Sequence, residues 1–158
     1  MEVKSRDLAL VTIFASLYAV LVYLFAPISF YFLQFRVAGV LRPSIARKWI
    51  LAIGYAIGVV VGNIFSPFTG PYELIFMPTM SFLAGTLDYL VAKRFKNNYY
   101  ITGAVVATII SISVSWMLSQ LFSLPMFATL PYVFISEQTV CFIGASMFKL
   151  IETRFKWW

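Results

Sequence analysis

The chain has 158 residues, 61% of them hydrophobic and 11% charged, with a formal net charge of +6. A soluble domain of this size has too little interior to hide that much apolar surface, so the composition excludes a water-soluble globular protein. It points to one membrane-embedded domain over residues 1–158, its positive charge serving topology and lipid headgroups rather than nucleic acid.

The apolar runs are continuous rather than alternating, which predicts helices and not a barrel. The first span covers residues 7–26 and has no small-residue cleavage site, so it reads as a retained helix rather than a removed signal peptide. An aromatic loop, 27–34, follows it. The second span, 35–46, is short and contains Arg42 and Pro43. The third, 49–65, ends at the Pro- and Gly-containing turn 66–71, and the fourth covers 72–92. A polar loop leads to the fifth span, 99–122. Pro125 and Pro131 punctuate the next loop, and the sixth span covers 132–152, with a Trp-containing tail at the interface. A single Cys, Cys141, in an apolar run excludes internal disulfides and reads as a small core residue. With no His either, the chain offers no metal cluster, and no cofactor is expected.

Ten of the twelve Lys and Arg residues fall into four groups: Lys4/Arg6, Arg47/Lys48, Lys93/Arg94/Lys96 and Lys149/Arg154/Lys156. Lys and Arg are retained on the cytoplasmic side. Six crossings put all four groups inside. If the second span were only a re-entrant loop, the two middle groups would fall outside. The expectation is therefore an all-α, six-helix, multi-pass bundle in the cell membrane with both termini cytoplasmic.

Small residues recur at helical spacing: Gly54, Gly58 and Gly62 in the third span, and Gly103, Ala107, Ser111, Ser115 and Ser119 in the fifth. Small side chains let helices approach closely in lipid, and these read as internal packing. Ala15 and Ala19 in the first span form a shorter pair of the same kind.

An unpaired charge inside the membrane costs at least ~2.5–3.5 kcal/mol, so each needs a reason. Gln34, Arg36, Asn63, Glu73, Trp116, Gln120, Glu137 and Gln138 all fall toward the outer ends of their spans. One reading is an Arg36–Glu73 or Arg36–Glu137 pair that holds helices together. The other is a pocket open to the outside, in which carboxylates, amides and aromatics suit a planar, nitrogen-rich heterocycle. On that reading Glu137→Gln weakens binding by about tenfold, ~1.4 kcal/mol, with folding little changed. Asp88 is expected to pair locally with Lys93 or Arg94. Arg42 has no evident partner and either snorkels or faces the pocket.

Three blocks carry a resemblance: APISFYFLQFRVAGVL from Ala26, GNIFSPFTGPYELIF from Gly62 and ISEQTVCFIG from Ile135. They resemble the signature blocks of the queuosine-precursor transporter family, substrate-binding S-components of energy-coupling factor (ECF) importers. The resemblance implies a six-helix protein that captures a vitamin-like solute outside and works with a membrane T-subunit and two ATPases. It implies ligand contacts at Gln34, Arg36, Asn63, Glu73 and Glu137, and partner coupling through Ala15 and Ala19. The chain departs from the pattern at Ala38-Gly39, where the family has Ser-Glu, and at Glu73, where it has aspartate. These departures leave open an S-component for another substrate.

Two other classes stand beside it. A membrane enzyme is disfavoured, since the chain has no His, no Cys cluster and no paired carboxylates at one spacing. A stand-alone carrier needs polar groups across the whole membrane, and the inner half is almost entirely apolar. The chain contains no phosphate-cradling Gly-Lys motif, so ATP-driven work falls to partner subunits.

Overall fold

A computed structural model describes residues 4–30 and 35–158, and among them every regular element is helical. The elements are α1 (Ser5–Leu24), the single turn α2 (Ala26–Ser29), a 3₁₀ segment (Val37–Arg47), α3 (Leu51–Asn63), a π turn (Tyr72–Phe76) continuing into α4 (Met77–Arg94), α5 (Tyr99–Phe122) and α6 (Met126–Arg154). Among the described residues, four stretches are long and apolar enough to cross a membrane: Ser5–Leu24, Tyr72–Arg94, Tyr99–Phe122 and Met126–Arg154. α3 is apolar but has only 13 residues.

The expected second α-helical span is instead 3₁₀, over eleven residues. Such runs rarely exceed a turn or so, and their rise of ~2.0 Å per residue carries eleven residues about 22 Å. The same residues as α-helix would reach only ~16 Å. Pro43 lies inside the segment and cannot donate to an α-helical ladder. Ala38, Gly39, Ser44 and Ala46 keep the segment thin, and eight of its residues are buried. It packs against α1, α3, α4, α5 and α6 and forms the axis of the bundle.

The Gly stripe of α3 packs on α1. A Cβ added at Gly58 would lie 2.8 Å from Tyr18 Cβ and 3.1 Å from the Ala15 carbonyl oxygen. Gly103 of α5 faces Pro43 and Cys141, and Cys141 is buried as expected.

The basic groups meet at one end. Lys48 pairs with Asp7 at 2.6 Å, joining the exit of the 3₁₀ segment to the start of α1. Arg47 pairs with Glu152 of α6 at 2.5 Å and donates to the Tyr99 hydroxyl of α5 at 2.9 Å. Its guanidinium also lies over the Tyr99 and Trp158 rings, 4.6 and 4.8 Å from their centres, placing the aromatic tail at this end.

Two expectations are corrected. α6 begins at Met126 rather than 132, and Pro131 lies within it. Pro125 caps the helix, and a proline this close to the start leaves most of the ladder intact. Asp88 makes no ion pair with Lys93 or Arg94. It is fully buried and neither carboxylate oxygen has a hydrogen-bond partner among the described residues. At 100° per residue, five and six positions put Lys93 and Arg94 well around the helix from Asp88. Asp88 shares the inward face of Ser81, Ala84, Gly85 and Ala92, while Lys93 lies over the Tyr89 ring at 4.6 Å.

Candidate functional site

Apart from Asp88, the buried charged residues of the bundle interior fall into two tiers. The deeper one centres on Glu137. On α6, Val133, Glu137, Val140, Cys141, Gly144 and Ala145 form one buried face, turned toward the 3₁₀ segment. From that segment Arg42 reaches Glu137 with two nitrogens: Nη1 pairs with Oε2, and Nη2 donates to Oε1 at 3.3 Å. Nη2 also donates to the Tyr18 hydroxyl at 3.3 Å, and the guanidinium lies 5.3 Å from the centre of the Tyr55 ring. Both charges are essentially inaccessible. An ion pair this deep is offset against its desolvation cost only by two-pronged geometry and added donors and acceptors.

Neither expected Arg36 pair describes this arrangement, since Arg42 is the partner of Glu137. The signal was present in the sequence. A charge in mid-span must be matched, and Glu137 lies eleven residues into α6, about 16 Å along the axis. Starting the helix six residues late hid that depth.

The outer tier lies around Asn63 and Glu73. Asn63 ends α3 and is fully buried, and its Nδ2 donates to the Glu73 carbonyl oxygen at 2.9 Å. Glu73 is held in the π turn, where the extra residue turns it inward while Tyr72 and Phe76 face Trp116. Asn63 Oδ1, Glu73 Oε2 and the Ser29 hydroxyl are buried without hydrogen-bond partners among the described residues. Arg36, 4% exposed, lies 5.5 Å from the centre of the Phe30 ring, with Tyr18, Glu73, the like-charged Arg42 and Glu137 in its electrostatic surroundings. It links the two tiers. A cavity of about 380 Å³ opens at this end against Phe30, Phe65, Ser66 and Pro67.

The other predicted residues are distributed differently. Trp116 packs on Phe76 in a tilted arrangement, ring centres 4.7 Å apart, and remains partly exposed, on the rim. Gln138 lies one helical step from Glu137, away from the interior, and donates to Ala104 O and Thr108 Oγ1 of α5 at 3.2 and 3.0 Å. Gln34 is outside the described residues. Ala15 is nearly buried against Gly58 of α3, and Ala19 is half-buried.

Both tiers lie among apolar helices long enough to cross a membrane. The family model described as QueT transporter matches residues 8–153. The chain belongs to the QueT transporter family. No curated protein and no solved structure matches it. Membership makes the chain a multi-pass membrane transporter, and the match takes in every residue of both tiers.

Proposed function

We propose that this chain is the substrate-capturing S-component of an ECF importer, taking up a deazapurine-like queuosine or archaeosine precursor from outside. The observation that carries the reading is the outer tier: Asn63 Oδ1 and Glu73 Oε2 are buried acceptors without donors among the described residues. An unpaired buried polar group costs about 1–3 kcal/mol. The exocyclic amino and ring N–H groups of a flat heterocycle meet that demand. Arg36 serves the solute's carbonyl edge, Phe30 and Trp116 its faces, and Gln34 belongs to the same outer segment. Glu137 acts through Arg42, and Gln138 takes no part. Ala19, with Ala15 behind it, keeps one face of α1 low for a membrane T-subunit, which brings the two ATPases.

Native mass spectrometry of the purified protein is expected to find a co-purified heterocycle. Asn63→Ala and Glu73→Gln should each weaken its binding by at least about tenfold, ~1.4 kcal/mol. Ala19→Trp should keep that binding and lose co-purification with the T-subunit and ATPases. Unchanged affinity in both Asn63→Ala and Glu73→Gln would place the ligand elsewhere.

Six crossings with both termini cytoplasmic complete the reading. The 3₁₀ segment serves as the second crossing, and the shared basic end supports it. Single-cysteine labelling should reach Thr69→Cys from outside and Lys96→Cys from inside, with buried Cys141 silent. Reaction of both from one side would sink this topology.

A further inference from the structure

The basic end carries a cavity of about 470 Å³ between the α4–α5 turn, the start of α5 and the last turns of α6. Arg47, Lys96, Lys149 and Glu152 are its charged lining residues. Glu152 is taken up by Arg47 at 2.5 Å, which leaves Lys96 and Lys149 as the uncompensated charges. Lys149 is poised over the Tyr100 ring at 5.3 Å, and Tyr100 also lines the cavity.

The same Tyr100 lines a second cavity, about 360 Å³, with Ala104, Gln138, Thr139 and Phe142. That groove runs along the outside of α5 and α6, away from the basic end. Ala104 lies four residues beyond Tyr100, about 6 Å along the axis, and Phe142 packs on Tyr100 with ring centres 5.3 Å apart. A cationic cavity at the membrane surface therefore continues into a largely apolar groove at membrane depth.

We propose that this pair of cavities binds one anionic phospholipid, with its phosphate between Lys96 and Lys149 and an acyl chain along Ala104 and Phe142. Basic pockets between helices at the membrane surface suit anionic headgroups. The adjoining groove is what separates a lipid from a free phosphate, which has nothing to place there. The site faces outward from α5 and α6 while the tiers face the bundle interior, so it is testable whatever solute they hold.

The probes are phosphatidylglycerol and phosphatidylcholine with matched chains, offered to the full-length protein and read by native mass spectrometry. Phosphatidylglycerol should be retained in clear preference. Lys96→Gln/Lys149→Gln should reduce its retention by roughly tenfold to thirtyfold, with the melting temperature in detergent unchanged because both lysines are exposed. Ala104→Phe, which fills the groove from an exposed position, should reduce retention with both lysines in place. Equal retention of the two lipids, or wild-type retention in both variants, overturns the proposal. Displacement of phosphatidylglycerol by millimolar inorganic phosphate would reassign the cavity to a free anion and likewise overturn it.

Discussion

Glu137→Gln is expected to destabilise the protein by about 3–5 kcal/mol, the cost of leaving one member of a buried ion pair uncompensated. Arg42 would keep its full charge at a depth where neither it nor Glu137 is accessible, with a neutral amide oxygen, the Tyr18 hydroxyl and the Tyr55 ring in place of a carboxylate. The sequence alone had this substitution leaving folding little changed, because Glu137 read as a shallow ligand group. Denaturant titration in detergent micelles measures the loss. The double variant Arg42→Met/Glu137→Leu should recover most of it, since apolar replacement of a whole buried pair is often neutral. Wild-type stability in Glu137→Gln would mean that the pair is not what joins α6 to the 3₁₀ segment. The contrast with the outer tier is part of the expectation: Asn63→Ala acts on binding, Glu137→Gln on the fold.

Gly144→Ala should be as severe. A Cβ there would lie 2.2 Å from the Val40 carbonyl oxygen and 2.8 Å from Val40 Cα, a backbone that no rotamer change relieves. In a 3₁₀ helix the Val40 carbonyl would accept from the N–H three residues on, but that residue is Pro43. The oxygen faces α6 instead, and Gly144 is what makes room for it. Overpacking a core usually costs 1–3 kcal/mol and occasionally more, and contact with backbone puts this site at about 3 kcal/mol or above. Gly70→Ala is the control. Its added Cβ meets only the Phe68 oxygen, at 3.7 Å, and the change should stay within about 0.5 kcal/mol. Equal melting temperatures for the two variants would refute the close approach at Gly144.

Much of the outer tier was legible. Asn63 and Glu73 stand on either side of the Ser-Pro turn that forces α3 and α4 back against each other, so their proximity followed from chain order. Gln138 was not legible. It is adjacent in sequence to Glu137, and only the rotation of α6 decides that one faces Arg42 and the other Thr108. Asp88 failed for the same reason, its neighbours Lys93 and Arg94 lying on other faces of α4.

The sequence by itself determined the membrane class, the helical content, the basic end and the family, because these depend on composition, run length and short blocks of residues. It also determined that Gly54, Gly58 and Gly62 are packing positions, since small residues at four-residue spacing have few other uses in lipid. Only the tertiary structure decided which arginine meets which carboxylate, that Val37–Arg47 is 3₁₀, and where α6 begins. In a soluble helix the polar face would reveal the rotation. In lipid the outward face is as apolar as the inward one, so Leu8, Ile13 and Leu17 on the exposed side of α1 read no differently from buried Val11 and Val22. With that periodicity gone, helix rotation is set by close backbone contacts and by the pairing of Arg42 with Glu137, which exist only once the helices have met.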